Sequence, residues 1–240
     1  MRRALVLLLA LLSVLSASAD AHAKRRREKK KRPNMPMGWV WPPDKEMKQE
    51  GKACLAHLDE LGIVYKKGAR KRKVANPIYV PAMEFGGVKF ISTFRKPPFL
   101  MDCHLAAAMA DHAEKLYDLG IREMHFSSIY DYRKVRIRGG KKKKPLSRHA
   151  LGLAMDVYVF VTADGVSHVV ENDYKHADEL LLTTENTVNQ TGAFRMLLTP
   201  GNDPVSHRDH FHFEARTPCE RVETPAAVVS APAGPGELAR

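Results

Sequence analysis

Two short strings in this 240-residue chain hold the residue types that build a metal site. SRHALGLAMD, Ser147 to Asp156, brings His149 and Asp156, and SHRDHFHF, Ser206 to Phe213, brings His212. Two imidazoles and one carboxylate suit a zinc ion that keeps one position open for water, as hydrolytic zinc sites do. The spacing states how these residues must meet. His210 and His212 are two apart on an expected strand, so their side chains share a face. One of them can hold a metal while the other faces the reaction zone beside it. His149 and Asp156 are seven apart, an odd separation that puts them on opposite faces of any continuous strand. They share a metal only if the chain bends between them, and Gly152 is the residue that permits the bend.

A metal-activated water needs a base to take its proton. Asp209, three residues before His212, is the best-placed carboxylate, with orientation of His210 as its alternative role. His207 and Glu214 are weaker candidates for the base, and Glu214 equally suits an acceptor behind an imidazole N–H. Arg133, in YDYR, supplies a cation for a substrate carboxylate or a developing oxyanion, unless it is an ordinary surface cation at the start of a basic loop. Other histidines, such as His104, His112, His125 and His168, read as structural or surface residues. No G-x-S-x-G string occurs, and Cys54, Cys103 and Cys219 lack both zinc-finger spacing and a matched histidine. Cys54 and Cys103 are the preferred disulfide pair, since both fall inside the expected domain.

The elements that must position these residues follow from periodicity. A helix is expected over Glu46–Leu61, with Ala53, Leu55, Leu58 and Leu61 at helical spacing and Gly62 as its stop. IYVPAMEFGGVKFIS, Ile78 to Ser92, reads as two short strands around Gly86-Gly87. A second helix runs over Asp102–Gly120, capped by Asp102, with Leu105, Met109, His112, Leu116 and Leu119 along one side. IREMHFSSIY reads as a strand, and AMDVYVFV, the turn Ala163-Asp164-Gly165 and VSHVV read as a hairpin. HADELLLTTENTV and TGAFRMLL read as helices with a break near Gln190, and His210 to Arg216 as a final strand. Strands and helices do not alternate as βαβ units, so the fold class is α+β, a mainly antiparallel sheet flanked by helices.

The ends and the charge set the context. Arg2 and Arg3, the apolar run Ala4 to Ser16, and ASA or AHA within Ala17–Ala23 form the three-part pattern of a secretory signal over residues 1–23. That apolar run is short for a membrane span and no second one follows, so no span is expected in the mature protein, the alternative being an uncleaved amino-terminal anchor. A periplasmic or secreted location is expected. Residues 24–49 are a basic, proline-containing lead-in, a linker as far as about Asp44, before a domain over residues 50–217; residues 218–240 read as a disordered Pro/Ala-rich tail. Trp39 and Trp41, in the lead-in, are expected to tuck against the domain. The net charge of +12 is concentrated in three runs, Lys24–Arg32, Lys66–Lys73 and Arg133–Lys144, and the remainder is acidic. Such runs attract polyanions without specificity, and no aromatic residues interleave Lys24–Arg32 or Lys141–Lys144 to stack bases, so no specific nucleic-acid partner is expected.

SRHALGLAMD resembles the S-x-H-x-x-G-x-A-x-D motif, and DHFH the H-x-H motif, of the zinc peptidases that include D-Ala-D-Ala carboxypeptidases, lysostaphin-type enzymes and the hedgehog fold. More closely, ACLAHLDELGI, DCHLAAAMADHAEKL, YDYRKV, SRHALGLAMDVYVF and HRDHFHFEAR together resemble the extensin-like C-terminal domain family of bacterial exported proteins, over about residues 50–217. The resemblance implies a hedgehog/DD-peptidase-like fold with Zn²⁺ held by His149, Asp156 and His212. It implies that His210 assists the transition state, that Asp209 is the general base, and that Arg133 binds substrate. The implied activity is hydrolysis of peptide bonds in peptidoglycan, and the alternative is a zinc-containing wall-binding module without turnover. The chain departs from the family pattern at Tyr132, where a cysteine often stands, and in the basic stretch Lys66–Lys73.

Overall fold

The computed structural model describes residues 34–69, 72–135 and 145–220. The signal-like segment 1–23, the basic runs Lys24–Arg32 and Lys141–Lys144, and tail residues 221–240 lie outside the described residues. In chain order the main elements are α1 (Lys45–Glu60), β1 (Lys66–Lys67), β2 (Pro77–Val80), β3 (Glu84–Phe85), β4 (Val88–Ser92), β5 (Phe99–Asp102), α2 (Cys103–Asp118) and β6 (Ile121–Ser128). A 3-10 turn (Arg148–Leu151) precedes β7 (Ala154–Thr162), β8 (Ser167–Val169), α3 (Val170–Asp173), α4 (Glu179–Thr191), β9 (Phe194–Leu198) and β10 (Phe211–Ala215).

The two long helices begin at capping aspartates. Asp44 accepts from the Met47 N–H at 2.9 Å, and Asp102 from the His104 N–H at 3.2 Å, each satisfying an N–H that the helix cannot. α2 buries Leu105, Met109, His112 and Leu116 as its periodicity predicts. α1 is rotated from the expected face: Met47, Gly51, Cys54 and Leu58 are buried, while Ala53 and Leu61 face solvent. The rotation follows from its partner, because Cys54 is joined in a disulfide to Cys103 at the start of α2. Trp39 packs against the core with Trp41 stacked beside it, ring centroids 6.1 Å apart.

The sheets are mostly antiparallel, and the fold is α+β. β1, β2 and β5 form a small sheet; the larger one runs β3-β4-β6-β7-β10-β9, with β8 added to β7. Among these pairings only β4 and β6 are parallel. The segment expected as two short strands around Gly86-Gly87 holds three: β3 and β4 form a hairpin, and β2 joins the small sheet instead. β7 lies between β6 and β10, so its first residues Ala154 to Val157 are buried on both faces. Phe126, Phe160, Phe211 and Phe213 from these three strands are fully buried, each worth about 1.5–3 kcal/mol of transfer free energy.

Two expectations are corrected. TGAFRMLL is not a helix: Gly192 ends α4 in the left-handed conformation (φ 65°), and Phe194–Leu198 is β9, paired with β10. Burial of Phe194 and Leu197 against the sheet overrides the helical propensity of Met and Leu. The tail also begins later than expected. Pro218–Glu220 is a 3-10 turn, held because Glu220 reaches back to Arg148 and Arg195.

Candidate metal centre

The bend anticipated at Gly152 is made by a short turn. Ser147 caps the 3-10 turn, its hydroxyl accepting from the His149 N–H at 3.3 Å, and Gly152 closes it with φ 69°. A Cβ there would stand 2.7 Å from the Asp102 backbone nitrogen, so the position excludes other residues on both torsion and space. His149 thus leaves the turn, and Asp156 lies three positions into β7. The third residue arrives by register, because His212 on β10 is the direct cross-strand partner of Asp156. Cross-strand neighbours have their Cβ atoms within about 5.5 Å, so pairing alone brings these side chains together.

The donor atoms converge. His149 Nε2 lies 3.0 Å from Asp156 Oδ1 and 3.2 Å from His212 Nδ1, and His212 Nδ1 lies 2.6 Å from Asp156 Oδ1. A tetrahedron with zinc bonds of about 2.0–2.1 Å has edges of about 3.3 Å, so the triangle is of ion-holding size, with the Asp156–His212 edge the tightest. All three residues are buried. Each imidazole is also turned to present a lone pair. His149 Nδ1–H donates to the Ile129 carbonyl at 2.8 Å, leaving Nε2 inward. His212 Nε2–H donates to Glu214 Oε1 at 3.2 Å, leaving Nδ1 inward. Such outer acceptors fix ring orientation and tautomer in metal sites. Glu214 thus stands behind the His212 ring as an acceptor.

The electrostatics favour a positive charge at the same point. Burial alone raises the Asp156 carboxyl, but His149 and His212 more than reverse this and hold it well below the usual carboxylate range. Burial alone lowers His212, yet Asp156 and Glu214 push it up to about 9. Glu214, raised by burial, is brought down to about 2 by His212, Arg148 and Arg195.

The other anticipated residues surround this triangle. His210 Nε2 lies 3.6 Å from Asp156 Oδ1, while its Nδ1–H donates to Asp209 Oδ1 at 2.8 Å. Asp209, half exposed, therefore stands behind His210. Arg133 is at the rim, with Nη2 3.6 Å from Asp156 Oδ2 and Nε 3.4 Å from Asp131 Oδ2, and its side chain is about one-third exposed at 34%. His207 packs its ring against His210 and His212 at 5.0 and 5.1 Å between centroids, and is anchored by Asp203 at 2.9 Å. Burial, together with the neighbouring His212 and His210, lowers its pKa.

Two further groups among the described residues have donor atoms close together. His207, His210 and His212 form one, sharing His212 with the triangle; Cys54, Cys103 and His104 form the other. The cysteines are tied up as a disulfide, which removes the thiolates a metal needs. The histidine group shares His212 with the triangle and lacks a carboxylate of its own. The triangle is the best-formed site of the three. Sequence reasoning missed the Ile129 carbonyl, Arg148, Arg195 and Glu220; of these only Arg148 sits within one of the two metal-site strings, between Ser147 and His149.

No curated protein and no solved structure matches the chain. A family match does cover most of it: residues 52–223 match the extensin-like protein C-terminus family. That span includes the capped turn, β7, β10 and the C-terminal turn on which the triangle depends. The chain belongs to the extensin-like protein C-terminus family.

Proposed function

We propose that this protein is an exported zinc-dependent peptidase that hydrolyses peptide bonds in bacterial peptidoglycan. The observation that carries the reading is the buried triangle of His149, Asp156 and His212, with both imidazole lone pairs turned inward by acceptors behind them. Two nitrogens and one carboxylate oxygen are the donor set of zinc sites with an open position. A zinc ion held there supplies Lewis acidity for a carbonyl and lowers the pKa of a water to about 7.

The chain's own residues supply the rest. Asp209 and His210 act as a pair in proton transfer: the carboxylate holds Nδ1–H and fixes the ring, and Nε2 is the nitrogen turned toward the centre. The proton accepted by the pair is returned to the leaving amine. His210 in its protonated form also stabilises the developing oxyanion. Arg133 takes a carboxylate of the peptide at the rim, since its guanidinium is partly exposed and only loosely engaged by Asp131 and Asp156. His207 keeps the two rings of His210 and His212 in place from behind. The basic runs add non-specific attraction for anionic wall polymers. Export rests on the signal-like amino terminus; among the described residues no helix is long and apolar enough to cross a membrane.

Muropeptide digestion by the purified mature chain, with and without a chelator, tests the reading. Cleavage that stops on chelation and returns with Zn²⁺ supports it. Zinc binding with no cleavage leaves the wall-binding alternative, and no zinc binding removes both.

A further inference from the structure

Behind the triangle, four charged side chains close into a ring of alternating sign. Arg148, fully buried and one residue before His149, donates from Nη1 to Glu220 Oε2 at 3.0 Å and from Nη2 to Glu220 Oε1. Its Nε lies 3.9 Å from Glu214 Oε2. Arg195 on β9 donates to the same Glu214 Oε2, and its Nε lies 3.5 Å from Glu220 Oε1. Each arginine therefore meets both carboxylates. Glu220 is fixed in turn by the Thr217 N–H at 3.3 Å and the Thr217 hydroxyl at 3.1 Å. One carboxylate oxygen is left out of the ring: Glu214 Oε1, which accepts from His212 Nε2–H.

That omission depends on Glu220. A guanidinium seeks both oxygens of a carboxylate, in a fork that matches its own. With the fork of Arg148 filled by Glu220, Glu214 receives arginine contacts on Oε2 only. Without Glu220, the buried Arg148 and the half-buried Arg195 would share one buried carboxylate, and Arg148 would compete with His212 for Oε1. A buried charge stripped of its partner is strongly destabilising, so the arginines must turn to whatever acceptor remains.

We propose that Glu220 is a positioning residue of the metal centre, reserving Glu214 Oε1 for His212 by engaging Arg148 and Arg195 from the C-terminal turn. The inference rests on the metal reading of the triangle but not on turnover. It makes residues 217–220, beyond the last strand, a working part of the site. It also links two ligands, since the ring joins the neighbour of His149 to the residue two beyond His212.

The test uses the full mature chain and the Glu220→Gln variant, with Zn²⁺ affinity measured by chelator competition at a temperature where both are folded. Loss of an outer-shell partner costs roughly 10–100-fold in metal affinity, and that drop is expected here. A second readout is the exchangeable ring N–H of His212 in the Co²⁺-loaded protein, which is expected to exchange faster with solvent in the variant. Glu220→Asp keeps the charge with a shorter reach and covers the case in which the glutamine variant does not fold; its affinity is expected to fall between the two. Unchanged affinity and unchanged N–H exchange in the folded variants, whatever their melting temperature, would make Glu220 merely structural and overturn the proposal. If the wild-type chain itself binds no metal, the proposal falls together with the centre; if it binds and the variants match it, the proposal alone falls.

Discussion

Glu214 does for His212 what the Ile129 carbonyl does for His149: each takes the outward N–H and leaves the inward nitrogen free. The three triangle residues themselves were legible because each carries a donor atom of recognisable chemistry in one of two compact strings. Their supports were not, since a backbone carbonyl has no residue identity and Glu220 reaches Arg148 across 72 positions. Asp209 and His210 both stand in one of the two strings, and a hydrogen bond joins their side chains. Asp209→Asn removes the carboxylate that holds the His210 ring in place while leaving His149, Asp156 and His212 intact. Hydrolysis is expected to fall by about 100-fold or more with zinc content unchanged, as metal analysis and muropeptide assays would show. Wild-type rates in that variant would take proton transfer away from the pair. Arg133→Gln, at the rim, is expected to raise KM by about tenfold with zinc content again unchanged, the cost of one charge-assisted contact to substrate. An unaltered KM would put substrate binding elsewhere.

At the scale of elements, the site is a meeting of one turn and one strand pair. The register of β7 with β10 sets Asp156 beside His212, and the Ser147-capped turn swings His149 over them. The bend at Gly152 could be inferred from parity alone, because seven residues of unbroken strand place two side chains on opposite faces. β9 could not be read this way. Phe194, Arg195, Met196 and Leu197 show a buried, half-buried, exposed, buried order that fits neither a strand nor a helix cleanly, and the register with β10 shifts at Glu214/Ala215. Gly152 gives the sharpest test at this scale. Gly152→Ala imposes a left-handed torsion costing about 1–2 kcal/mol and drives a methyl against the Asp102 nitrogen at the head of α2. Stability is expected to drop by more than that torsional cost, and zinc affinity with it, because His149 rides on the same turn. Calorimetry with and without zinc measures both; a variant as stable and as tightly metallated as the wild type would show that the turn is not required.

For the whole molecule, two features outside the site govern how firmly it is held. The disulfide joins α1 to the start of α2 over a sequence separation of 49, and on chain-entropy grounds a loop of that size is worth about 4 kcal/mol. Reduction is expected to lower the melting temperature by about 10 °C, and an unchanged transition would show that helix packing alone suffices. The second feature is His112, buried on α2 with its ring edge-on to Phe194 at 5.6 Å between centroids. Burial, with Lys115 adding to it, pushes its pKa from an ordinary 6.5 down to about 4. The native ring stays neutral while the unfolded one takes up a proton, so the unfolded state binds more protons between these values. Stability on this account is full above pH 6.5 and is lost as pH falls toward 4, by about 3 kcal/mol at most. His112→Phe keeps the aromatic contact and removes the titration. Urea unfolding of the chelated protein from pH 7 to pH 4 is expected to give a shallower decline for the variant than for the wild type, because protonation of the metal ligands is common to both and cancels in the difference. Parallel declines would mean that the His112 ring can be protonated in place, and that the packing of α2 against β9 yields to acid without loss of stability.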